Sequence, residues 1–258
     1  MKSKLLNSLI LAALVVPGVA MAGDSPITAN VGFVSDYLVR GISQTSGGGA
    51  IQGGFDYAHE SGLHLGVWGS NISWITDGGA TGTSSLEVDT YGGYGGTFAD
   101  DFSYDVGYIR YNYPGDYTPL AGNVKADTHE VYGLIGYKWV SVKYSYSLGD
   151  FLAVKDSKGT NYLEVNASYT LEGAGVTLGA HYGKQTYKLP STYVVTDLTD
   201  PSYTDYKLSV SKDFGGYVVG LAYSSTDAAK DGFYTTTATG LNKNTARAAG
   251  VVSVLHSF

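Results

Sequence analysis

Charge is scarce in this chain, 15% of residues, so charges that fall at every second position of an otherwise apolar alternation carry the chemical interest. Asp36, Asp56, Glu87, Asp89, Asp105, Glu130, Glu164 and Asp205 are the acids so placed; Arg40, Lys138, Lys143, Lys184, Lys207 and Arg247 are the bases. Spacing by two puts them on one face of extended chain, opposite the apolar residues. Two chemistries suit such a face: a lining that sorts small charged solutes, or opposite charges paired as a structural network. Eight acids against six bases leave −2, which predicts a weak, salt-sensitive preference for cations. Arg110 stands apart, because the alternation is expected to slip after Tyr108, as at a bulge.

Other groups invite chemistry and lack its spacing. The five His, at 59, 64, 129, 181 and 256, are scattered, so no metal is predicted. Asp197, Asp200 and Asp205, and Asp227 with Asp231, lie in or beside long loops without the calcium-loop spacing. Gly92-Gly93-Tyr94-Gly95-Gly96 lacks the Lys-Ser/Thr of a phosphate loop; glycines beside Tyr on a strand instead let rings cover neighbouring backbone. Without Cys there is no disulfide, thiolate ligand or Cys nucleophile. No catalytic residue and no cofactor are assigned, although a spatial Ser-His pair acting on lipid is a competing reading.

The elements that must position these charges are short strands. In Tyr162 to Leu171, Leu163, Val165, Ala167, Tyr169 and Leu171 oppose Glu164, Asn166, Ser168 and Thr170. Similar alternation marks Thr28 to Val39, Ala50 to Tyr57, Leu63 to Asn71, Leu86 to Tyr94, Phe102 to Tyr113, Val131 to Trp139 and Ser141 to Leu148. It recurs in Val176 to Gly183, Asp205 to Ser211, Tyr217 to Tyr223 and Ala246 to Phe258, giving twelve strands. Short links, such as His59 to Gly62 and Glu172 to Gly175, alternate with long polar ones, such as Gly41 to Gly49 and Gln185 to Tyr203. A β-sandwich has no reason to segregate link lengths and would turn its polar face outward. The pattern predicts an all-β fold: a transmembrane antiparallel up-and-down barrel with short periplasmic turns and long extracellular loops.

Composition agrees. The chain has 36 Gly and 23 Tyr, mean hydropathy of −0.04 and a formal charge of −7, which argues against nucleic acid. Residues 1–22 read as a secretory signal: Lys2 and Lys4, an apolar run from Leu5 to Val16, Pro17-Gly18, then Ala20-Met21-Ala22 before cleavage. The expected mature chain, 23–258, is a single exported barrel domain. Twelve strands about 4.8 Å apart and tilted about 40° close at a diameter of roughly 24 Å, leaving an opening near ~10 Å once side chains are added. Such a barrel predicts passive passage of small polar solutes; a lipid-acting enzyme and a closed structural or adhesive barrel are the alternatives.

The C-terminus ends at Phe258 with Val252, Val254 and His256 on its face, resembling the terminal-aromatic strand by which assembly machinery recognises outer-membrane barrels. Aromatics gather near short-turn ends at Tyr57, Tyr94, Trp139, Tyr169, Tyr217 and Phe258, as in an interfacial girdle. The segment Ser35 to Thr45 (SDYLVRGISQT), followed by Ile51 to Tyr57 (IQGGFDY) and Trp68 to Trp74 (WGSNISW), resembles the TorF-type porins, a family once grouped as conserved hypothetical proteins. The resemblance implies a bacterial outer-membrane channel in contact with lipid, and supplies no catalytic residues.

Overall fold

The computed structural model describes residues 25–189, 200–230, 232–236 and 243–258; the expected signal segment lies outside them. Twelve long strands close into one antiparallel barrel. In chain order they are β1 Ile27–Val34, β2 Ala50–Ala58, β3 Leu63–Asn71, β4 Leu86–Phe98, β5 Phe102–Asn112 and β6 Thr128–Tyr137. The second half comprises β7 Val140–Ser147, β8 Asn161–Leu171, β9 Val176–Thr186, β10 Tyr203–Asp213, β11 Tyr217–Thr226 and β12 Ala249–Ser257. Each strand pairs with its sequence neighbour and β12 returns to β1, where Phe258 exchanges backbone hydrogen bonds with Ala29 at 2.8 and 3.3 Å. Closure leaves no unpaired edge in the main sheet, which separates this fold from a sandwich.

Period-two alternation decides which side chain faces which way. Leu163, Val165 and Tyr169 of β8 are exposed on the outer surface, whereas Tyr162, Glu164 and Ser168 between them are buried. Outward Leu208, Leu221, Ile135 and Phe55 extend the apolar band around the barrel. Exposed aromatics edge it, with Tyr94, Trp139, Tyr169, Tyr217 and Phe258 toward the short turns. Tyr108, Tyr146, Tyr182, Tyr206 and Tyr223 lie toward the long loops.

Four expectations need correction. The first strand ends at Val34, not Val39, because the chain turns into the barrel there. The β4–β5 register runs unbroken from Val88↔Asn112 to Phe98↔Phe102, so there is no bulge after Tyr108. Arg110 points outward with Tyr108 and reaches Asp127 at 3.8 Å, while apolar Ile109 is the residue facing in. Lys138 lies in the two-residue turn between β6 and β7, exposed and 3.5 Å from Asp101. Lys184 pairs with outward Leu163 and follows outward Tyr182 by two, so it too faces out. Both Arg110 and Lys184 sit at the long-loop ends of their strands, where outward charge costs far less than at mid-height.

At the long-loop rim, one helical turn, Trp74–Asp77, and small two-stranded pieces cap the wall. Ile72, Ile75, Tyr113, Tyr117 and Ala126 from the loops pack with Val34, Tyr37, Leu38 and Val251 into an apolar cluster.

Candidate functional site

The link between β1 and β2 shapes the barrel mouth. Leu38–Val39 pairs with Ile42–Ser43 through the turn Arg40-Gly41, whose residues have φ of 48° and 79°. Two left-handed residues at a two-residue turn match the twist of the flanking strands. Arg at the first position costs roughly 1 kcal/mol of backbone strain, which its contacts must offset.

Those contacts lie on the far side of the interior. Arg40 Nη2 stands 2.6 Å from Glu130 Oε2 on β6, and Nη1 donates to Gln185 Oε1 on β9 at 2.9 Å. The guanidinium stacks 4.4 Å over the Tyr162 ring and 5.3 Å from that of Phe151. At Gly41 an added Cβ would stand 2.9 Å from the Asp205 Cβ, so glycine lets the tip seat against β10. Nearer the root, buried Tyr37 donates its hydroxyl to Glu87 Oε1 at 3.2 Å and packs on Trp68 at 5.6 Å. Asp36 accepts from Ser43 at 2.5 Å and Thr45 at 3.3 Å; burial raises its carboxyl above the ordinary range against those hydrogen bonds and Arg247, 4.0 Å away. The hairpin therefore crosses the lumen from β1 and β2 to β6, β9 and β10. The open bore of about ~10 Å expected from strand count alone is not what stands at this level.

Below and beside the hairpin the inward charges are ordered by tyrosines reaching across glycines. Asp56, Gly66 and Tyr91 lie in one row of β2, β3 and β4, and the ring crosses Gly66, where a Cβ would overlap it, to donate to Asp56 at 2.6 Å. His64 and Asp105 meet at 2.7 Å. A longer chain runs from Glu164, which accepts from Asn166 Nδ2 at 2.9 Å, to His181 Nδ1, 2.7 Å from Asn166 Oδ1. His181 Nε2 then meets Asp205 at 3.0 Å, and Tyr162 donates to Asp205 at 2.8 Å. Glu87 and Asp89 are buried with three carboxylate oxygens bonded to no protein atom.

Of the proposed lining residues, Asp56, Glu87, Asp89, Asp105, Glu130, Lys143, Glu164, Asp205 and Lys207 face the interior from strands. Asp36 and Arg40 enter on the hairpin, Arg247 stands at its exposed foot, and Lys184 is outside. Removing Lys138 and Lys184 leaves eight acids against four bases, −4. Sequence reasoning missed Tyr37, Tyr91, Tyr162 and Gln185, which partner the acids and the arginine. Tyr beside Gly in alternating strands hints at such rings, but only register says which strand each reaches. Among the loop acids, Asp200 caps Ser202 and Asp227 caps Thr204, while Asp197 and Asp231 lie outside the described residues. Among the described residues the His that meets a Ser hydroxyl is His59, 2.8 Å from Ser61 in an exposed turn.

A barrel of this form recurs in solved structures. The KdgM porin superposes with TM-score 0.51 at 11% identity, covering 90% of this chain and 99% of that one. The NanC porin gives TM-score 0.50 at 10% identity over 90% and 98%. At such identities the likeness establishes the fold. No functionally curated protein matches the sequence. A family model does, over residues 20–258, and the chain therefore belongs to the Gcw_chp family, described as a bacterial protein of unknown function.

Proposed function

We propose that this protein is a bacterial outer-membrane channel for passive diffusion of small polar solutes or ions, as the TorF-type resemblance implies. One observation carries the reading: a closed barrel whose outer wall is apolar and aromatic and whose interior holds its buried charges. In water that outer face would be a large unpartnered apolar surface; in lipid it is the expected one. Aromatics at both edges of the band fit two interfaces, and the signal-like segment fits export. The fold of two porins supports the same conclusion.

The hairpin sets the limit on what passes, since solutes must move around Arg40 and Tyr37 rather than through an open bore. A closed structural or adhesive barrel is the second reading, favoured by the apolar cluster that packs loop residues against Val34, Tyr37 and Leu38 at the long-loop rim. Single-channel recording in planar bilayers separates the two: discrete steps support diffusion, and a silent membrane with correctly folded protein supports the closed barrel.

A further inference from the structure

Beneath the hairpin lies a cavity of about 240 Å³ whose lining includes Lys143 and Lys207 together with Arg40, Glu164 and Asp205. The acids and bases around it are treated differently. Glu164 accepts from Asn166, Asp205 from Tyr162 and His181, and Glu130 from Arg40, so each carboxylate is engaged by neighbouring protein. The lysines make no such direct contact, although Glu164, the register partner of Lys143, attracts both and Asp205 attracts Lys207 across the same cavity. Lys143 is 8% exposed, and its Nζ lies 4.4 Å over the Tyr132 ring; no carboxylate comes within ion-pair distance of it among the described residues. Lys207 makes no hydrogen bond or ion pair there at all; its register partners are His181 on β9 and Ser224 on β11. An ammonium has three donors and no acceptor, so each lysine keeps donors available to a ligand in the cavity. Neither Nζ is sealed from the cavity, and Ser209, Ser211 and Ser224 add hydroxyls to the same wall.

We infer that this cavity is a binding site for a small organic anion, a compact dicarboxylate whose two ends meet Lys143 and Lys207. Arg40 forms its roof and is held away from the ligand by Glu130 and Gln185. The site depends on cavity geometry and not on conduction; only if the barrel conducts does its occupant become a solute in transit.

The test uses the full-length chain folded in detergent at low salt, titrated calorimetrically with succinate and, in parallel, with the uncharged isostere succinamide. Saturable heat from succinate with none from succinamide is expected. No saturable heat from succinate, or equal binding of succinamide, overturns the inference. Lys143→Gln and Lys207→Gln should each weaken succinate binding about tenfold, as loss of a charge-assisted hydrogen bond does. Lys143→Arg and Lys207→Arg, which keep the charge, should bind, and outward Lys184→Gln should match the unaltered protein. Unchanged affinity in the double glutamine variant, with its heat-modifiable migration intact, would also overturn it. A barrel that binds succinate but passes no current would contradict the channel reading and leave the site standing.

Discussion

Arg40 is the residue on which the interior turns. It joins the hairpin tip to two opposite strands, and its partner Glu130 is fully buried. Arg40→Gln strands that carboxylate, and removing one member of a buried pair costs about 3–5 kcal/mol. The folded band of the variant should convert to the unfolded one at lower temperature on a heat-modifiability gel, and its conductance should rise. Glu87 and Asp89 behave oppositely. Spaced by two, they look from sequence like a pair of pore acids, yet both are buried, with Tyr37 bonded to Glu87. Neutralising both, Glu87→Gln with Asp89→Asn, should leave the reversal potential in a salt gradient unchanged. It should also raise the unfolding temperature, since it removes two neighbouring buried carboxylates that repel one another. A shift toward anion preference would instead place them on the conducting path.

Strand identity was legible in the sequence because lipid-facing and lumen-facing residues alternate with a fixed period: all twelve strands are present, the first ending five residues earlier and the last starting three residues later than the alternation suggested. Exceptions arose where the pattern meets a rim. Arg40 and Asp36 keep the parity of a strand that has already ended, and Lys184 and Arg110 are outward charges at heights where the outer face tolerates them. The inward hairpin was not legible: its sequence, Leu-Val-Arg-Gly-Ile-Ser, reads equally as a strand end and a loop. Its direction is set by partners thirty to 145 residues away in the chain. The faces of β8 can be tested directly. Val165→Arg places a charge on the outer face, at a cost of up to about 2–4 kcal/mol at mid-height, whereas Ser168→Arg points inward. Folded yield in lipid should fall sharply for the first and little for the second; equal losses would mean the register is off by one. Deleting Phe258 removes the last backbone pair between the chain end and β1, and should lower membrane insertion while leaving export unchanged. Unaltered membrane yield in that strain would speak against a role for the terminal aromatic.

For the whole molecule, the inward balance of −4 exceeds the −2 read from sequence, but most of those acids are held by tyrosines, histidines or Arg40. Selectivity for cations should therefore be weak and vanish near 1 M salt, where screening acts over about 3 Å. The bore depends instead on the hairpin. Val34 and Ala50 already face each other in register, so replacing residues 35–49 by Asn-Gly joins β1 and β2 in a tight turn and removes the crossing segment. Single-channel conductance of the natural chain and of this variant in planar bilayers is the most direct measurement. Small discrete steps from the natural protein and several-fold larger ones from the variant are expected. A natural chain that stays silent while the variant conducts, or equal steps from both, would contradict a diffusion channel narrowed by its own first loop.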